Sequence, residues 1–239
     1  MFRLPPLTPF IRSLLIALIS LFVLEAILQN FLDVPVFQLL SLNPSALSIQ
    51  TAWQVFTHVL VVPAQPNFIF SLLLSLLFIW WIMAPFESRY GRTRVIQLCV
   101  VAALSAALGA IAAGQLAPAY GSLVFGPQTI TLCGMCAYAM LLPPHAELSF
   151  FGMFQMRPVQ LIYVVAGLSL LTFLTSKNVA QLAADLGAIG GGIGFAKWWM
   201  LRAPRRKIFG GGKPKKRGGP QLKVVKGEGN GEDPKRWLN

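Results

Sequence analysis

Residues 179–200 read VAQLAADLGAIGGGIGFAKWWM. The run is apolar for long enough to cross a bilayer, which takes about 20 residues as a helix. It carries one carboxylate, Asp185, in its first turns, followed by Gly187, Gly190, Gly191, Gly192 and Gly194. Two pairs, Gly187/Gly191 and Gly190/Gly194, have G-x-x-x-G spacing, which lets a second helix approach backbone to backbone. A buried charge beside such a face belongs against protein, because an ionised group facing lipid is costly. The segment therefore reads as one helix of a membrane bundle, and Gly191 or Gly190 should not tolerate leucine.

Five further apolar runs precede it, giving six expected spans at 11–31, 67–83, 95–115, 125–142, 159–174 and 179–200. The chain of 239 residues is 55% hydrophobic and 12% charged, about half the charge of a soluble domain. The first run is too long for a secretory signal and is read as an attached helix. Pro127 falls in the first turn of the fourth run, and Pro143-Pro144 ends it. The fold class is an all-α integral membrane protein of six transmembrane helices over residues 1–201. A basic tail, 202–239, is rich in glycine and poor in apolar residues, and is expected to lack a fixed fold.

Charge sets the expected orientation. Arg3, Arg12, Arg89, Arg92, Arg94 and Arg157 flank alternate ends of the spans, and the tail holds twelve basic residues against three acidic ones. Residues 32–66 and 116–126 contain no Lys or Arg. By the positive-inside rule both termini are cytoplasmic. A bacterial inner membrane is the expected location. The tail is read as an anchor touching anionic lipid, with no specific nucleic acid as partner. The segment 32–66, apolar and punctuated by Pro35, Pro44 and Pro63, suits an element lying in the headgroup layer around Trp53.

The residues that could carry chemistry are few. Glu25, Glu87 and Asp185 are the carboxylates of the apolar segments; Glu87 is read as a local salt bridge or a helix-to-loop hydrogen bond. Gln128, Thr129 and Thr131 are polar at the start of the fourth run. The histidines, His58 and His145, fall in an external loop and on the cytoplasmic side, away from Thr129. A hydroxyl needs a base to become a nucleophile, and histidine is the usual one. Cys99, Cys133 and Cys136 lie in apolar runs without metal-site spacing. No cofactor or metal is expected.

Taken together, these residues resemble the rhomboid family of intramembrane serine proteases. Trp53-Gln54-Val55-Phe56-Thr57 resembles the family's W-R-x-x-T, with Gln54 in place of arginine. Asn67 to Ser71 is similar to the H-x-x-x-N that opens its second helix, and Glu87 with Gly91 resembles the E-x-x-x-G at that helix's end. Gly134 stands where a glycine follows the active serine. Ala184-Asp185 through Gly191 resembles A-H-x-x-G-x-x-x-G of the sixth helix. The resemblance covers about residues 10–200 and implies a six-helix fold with Trp53, Glu87, Gly91, Gly134, Gly187 and Gly191 as structural positions.

It also implies where the catalytic groups would stand, and they are replaced. The nucleophile position is Thr129 counted back from Gly134, or Gln128 counted forward from Gly126. The histidine position is Asp185, and the oxyanion positions are Asn67 and Ser71. Nucleophile and base act as a unit, so losing both removes the mechanism. The expected function is a pseudoprotease that binds transmembrane segments of client proteins, as inactive members of the family do. An active endopeptidase with a displaced nucleophile and a small transporter are the alternatives.

Overall fold

Proline starts three of the long helices in the computed structural model, which describes residues 5–46, 48–116, 122–143, 148–150 and 154–202. Helices α1 (Pro9–Leu32), α4 (Pro66–Tyr90) and α7 (Pro158–Ser176) each carry proline in the first turn. There the missing N–H removes no helical hydrogen bond, and the fixed φ is already helical. Their ends are made by left-handed or extended-positive residues: Asp33 at φ 51°, Lys177 at φ 54° and Gly91 at φ 87°. Between them stand α2 (Val36–Leu40), α3 (Gln54–Thr57), α5 (Arg92–Leu116) and α6 (Gln128–Leu141), and α8 (Val179–Arg202) ends the described chain.

Five helices, α1, α4, α5, α7 and α8, are long and apolar enough to cross a membrane. The expected fourth run, 125–142, is shorter than its apolar sequence: α6 has 14 residues, a rise of about 21 Å at 1.5 Å per residue. It can be short because it is central. It packs against α4, α5, α7 and α8, and most of its residues are buried. Its ends therefore meet protein and need not reach a headgroup layer. Pro127 stands just ahead of it as the N-cap. The expected run 67–83 is longer than its apolar stretch, because α4 continues through Pro85 to Tyr90. A short antiparallel hairpin, β1 (Leu148–Phe150) with β2 (Phe154–Met156), is the one departure from an all-helical chain among the described residues. Three-residue strands are too brief to show as alternation beside spanning-helix signals.

The segment 33–65 is tied down by the Trp-Gln-x-x-Thr residues. Trp53 Nε1 and Gln54 Nε2 both donate to Leu39 O at 3.2 Å, and Thr57 Oγ1 donates to Leu40 O at 2.8 Å. These bonds satisfy the open carbonyls at the end of α2. Leu42 pairs with Val124 through N–H to O bonds of 2.9 Å in both directions, and Gly126 N donates to His58 O at 2.8 Å. Ala64 N donates to the buried Glu25 carboxylate at 3.0 Å, so α1 holds the segment's return. Leu39, Ile49, Trp53 and Phe56 stay exposed, the apolar face that an element in the headgroup layer presents.

The glycines of α8 do two different things. A Cβ on Gly187 would strike the Ser105 carbonyl of α5, and one on Gly109 of α5 would strike the Ala183 carbonyl of α8. A Cβ on Gly192 would strike the Cys133 carbonyl of α6, and Gly191 faces the Ser105 side chain. At Gly187, Gly109 and Gly192 backbones touch. Gly190 and Gly194 meet nothing within 4 Å. Of the two positions expected to exclude leucine, Gly191 is the one in close contact; Gly190 and Gly194, four residues apart, lie on an outer face of the helix.

Thr8 and α1 meet Glu87 near the end of α4, and Arg94 at the start of α5 stacks on Trp199 near the end of α8, with 3.8 Å from guanidinium to ring centroid. The start of α1, the α4–α5 junction and the end of α8 thus share one end of the bundle. His145 and the basic tail beyond Arg202 lie outside the described residues.

Candidate functional site

Asp185 is 2% exposed and sits inside the bundle, one turn below Gln181 on α8. Residues four apart on a helix face the same way, and Gln181 Nε2 donates to Asp185 Oδ1 at 3.2 Å. Gln128, the first residue of α6, donates from Nε2 to the same oxygen at 3.4 Å. The other end of Gln181 accepts from Phe125 N at 3.3 Å. Asn178 completes the ladder: its Oδ1 accepts from Gln181 N at 3.0 Å and its Nδ2 donates to Leu123 O at 3.3 Å. The amides thus fasten the segment before α6 to the start of α8 and satisfy groups that have no water to turn to.

Above this ladder opens a cleft of about 250 Å³. Phe68, Ser71, Leu72 and Ser75 of α4 form one wall and Thr172 and Ser176 of α7 another, with residues 125–128, Asn178 and Gln181 between them. Of the two positions aligned with the nucleophile, Gln128 faces the cleft and bonds Asp185. Thr129 is buried, and its Oγ1 has no hydrogen-bond partner among the described residues. Of the two candidate pairs with Asp185, the one with Gln128 forms and the one with Thr129 does not. The offset follows from Gly126, whose φ of 108° turns the chain into α6 and points the next side chains. Ser71 lines the cleft; Asn67, one turn earlier, is exposed and stands outside the lining.

Asn178, Gln181, Ser75, Thr172 and Ser176 were not singled out in the sequence. The i, i+4 spacing from Gln181 to Asp185 was the readable signal. The remaining hydroxyls look like ordinary polar residues in apolar helices until α4 and α7 are set face to face.

His58 is fully buried at the end of α3, outside the spans, with Nδ1 2.9 Å from Gln54 O. Nε2 has no partner among the described residues, so His58 and Thr129 are not bonded to each other. Burial pushes the imidazole below its usual 6.5, against the smaller opposing pull of the Gln54 and Val55 backbone. The unfolded chain then binds the proton more readily than the folded one. The histidine's contribution is complete above pH 6.5 and is lost as pH falls through 6.5 toward the lowered folded value. The parent protein in detergent is expected to lose thermal stability on acidification from pH 7.5 to 5.5 by more than His58→Gln does. Equal slopes for the two would show that His58 is not held neutral.

Glu87, Gly91, Gly134, Gly187 and Gly191 fall at helix junctions and contacts away from the cleft. A Cβ on Gly134 would meet the Met83 side chain, where α6 crosses α4. The comparisons with known proteins agree with this arrangement of parts. The Rhomboid domain model matches residues 50–202. No curated protein matches the chain. The match runs from the Trp-Gln-x-x-Thr segment through the glycine-rich last helix and covers more than half of the sequence, so the chain belongs to the rhomboid family.

Proposed function

We propose that this rhomboid-fold membrane protein binds transmembrane segments of other membrane proteins without cleaving them. The observation that carries the reading is the cleft: Gln128, which lines it, is joined by a 3.4 Å hydrogen bond to Asp185 behind it, the two positions that the resemblance aligns with the dyad, and no histidine is among the lining residues. A carboxamide is not a nucleophile. The hydroxyls of Ser71, Ser75, Thr172 and Ser176 are nucleophiles only if a base removes their proton. Asp185 has an oxygen committed to two amides, and a carboxylate does not accept and return a proton as an imidazole does.

The same groups are suited to binding. Inside a bilayer a helix broken by glycine or proline exposes backbone N–H and C=O groups that nothing in lipid satisfies. A small cleft edged with amides and hydroxyls offers both donors and acceptors to such a segment. The reading includes both termini on the cytoplasmic side of a bacterial inner membrane, supported by Arg89, Arg92 and Arg94 at the shared end of the bundle. Contact of the basic tail with anionic lipid belongs to the same reading.

The test uses the full chain in liposomes with two fluorescent single-span peptides, one with a Gly-Pro break at its centre and one with alanines there. Neither peptide should be cut. The broken peptide should bind about tenfold more tightly, the worth of about 1.4 kcal/mol, and Ser71→Trp should abolish the difference. Equal binding of the two peptides would sink the proposal. So would cleavage that disappears in Thr129→Ala, Gln128→Ala, Ser71→Ala or Asp185→Asn, which would restore the endopeptidase.

A further inference from the structure

The α5–α8 contact closes along only part of its length. Around Gly109 and Gly187 the two backbones touch, and at Gly191 the contact passes to the Ser105 side chain. Toward the end that holds Arg94 the facing residues become large: Ile96, Val100 and Val101 on α5, Phe195 and Trp198 on α8. These side chains border a groove of about 590 Å³ on the outer face of the bundle. That volume lies within the roughly 300–1,000 Å³ of small-molecule sites. The groove is apolar apart from Gln97 and the Trp198 indole. Gln97 accepts from Arg94 Nη1 at 2.6 Å, which leaves its amide NH2 as the group it can offer a ligand. Arg94 is held in place from the other side by the Trp199 ring.

We propose that this groove binds one acyl chain of an anionic phospholipid, with the headgroup at Gln97 and Arg94. Charge complementarity selects the occupant. The apolar trough ends at Gln97, whose side chain is hydrogen-bonded to Arg94 just beyond the lining, and Arg92 and Lys197 add exposed positive charge nearby. A transmembrane helix would meet the trough but gain nothing from a fixed cation at its end, whereas a phosphodiester carries the matching charge and ester oxygens. The groove shares no lining residue with the amide-lined cleft and is separate from it.

Gly194 makes the proposal testable without harming the fold. It lines the groove, and a Cβ there meets nothing within 4 Å. Leucine at this position fills the trough while improving helix propensity. The full chain, purified in detergent and delipidated, is titrated with dioleoyl phosphatidylglycerol and with dioleoyl phosphatidylcholine and read by native mass spectrometry. The parent should bind the glycerol lipid in preference. Arg94→Gln should cut that preference about fivefold, the share of one basic side chain near an anionic surface. Gly194→Leu and Val100→Trp should each lose the bound lipid while melting within a few degrees of the parent. Equal binding of the two lipids by the parent overturns the proposal. Lipid retained by a folded Gly194→Leu does so too, as does disulfide cross-linking of two copies through Val100→Cys, which would make the groove a dimer face.

Discussion

Gly192→Leu is expected to leave almost no folded protein in the membrane, while Gly190→Leu accumulates like the parent. The two residues are separated by half a turn of α8 and by their surroundings. At Gly192 even a Cβ would enter the Cys133 carbonyl and come within 3.2 Å of Ala137 N on α6. Both obstacles are backbone of the central helix, so no rotamer change relieves them. The α6 helix cannot retreat, because it is enclosed by α4, α5 and α7 as well. Overpacking a core costs about 1–3 kcal/mol where side chains can shift, and more where backbones must part. A loss of at least about 3 kcal/mol is a large share of the 5–15 kcal/mol that holds a typical protein folded. Gly187→Leu should behave like Gly192→Leu, since it meets the Ser105 carbonyl of α5. A side chain at Gly190 meets nothing within 4 Å, and an apolar one facing lipid adds no penalty. The check is the amount of monodisperse protein after extraction and size-exclusion chromatography. Equal recovery of Gly192→Leu and parent would show that α8 does not pack on α6 as described.

That contrast shows what the sequence could and could not convey. A glycine-rich apolar run signals close helix contact, and the contact exists. Two overlapping G-x-x-x-G pairs, however, point in different directions on one helix. Nothing in Gly187, Gly190, Gly191 and Gly194 themselves says which pair finds a partner, because that depends on where Ser105 arrives from α5. The same limit applies at the candidate site. Asp185 was legible as a buried carboxylate facing protein, since lipid would not accept it. Its partner was not, because Gln128 and Thr129 are adjacent and lie about 100° apart around α6. The positive φ at Gly126 decides between them, and only the folded turn displays it. Spans were readable from length and hydropathy. The extension of α4 past Pro85 did not show in hydropathy, and only the Glu87–Gly91 spacing pointed to where the helix ends.

Glu87→Ala is expected to destabilise the bundle by about 3 kcal/mol or more, and the extension of α4 is the reason. The helix α1 begins at Pro9, and its first N–H groups have no partner within the helix. Thr8 holds the N-cap position, yet its side chain makes no capping bond to its own helix. Its hydroxyl instead donates to Glu87. The carboxylate takes over the cap from another helix: Phe10 N donates to Oε1 at 3.2 Å and Ile11 N to Oε2 at 3.1 Å. These are the second and third residues of α1, the donors that a capping side chain ordinarily satisfies. The negative charge also lies at the positive end of the α1 dipole. Arg92 braces the junction by stacking on Phe10, 5.6 Å from its ring centroid. Glu87 is 7% exposed and Ile11 is fully buried, so truncation leaves donors that water does not readily reach. Hydrogen bonds to charged groups contribute about 1.5–3 kcal/mol each, and a buried donor left unpaired carries its own penalty. Glu87→Gln keeps one carbonyl oxygen as an acceptor and should lose about half as much. The measurement is the midpoint of unfolding in mixed detergent micelles for parent, Glu87→Gln and Glu87→Ala, with protease cleavage near residue 8 as a second readout. Stability should fall in that order, and cleavage should rise with it, because α1 comes loose at its start before the bundle opens. An alanine variant that unfolds at the parent's midpoint, with residue 8 still protected, would mean that α1 is fixed by its apolar face alone and that Glu87 is dispensable.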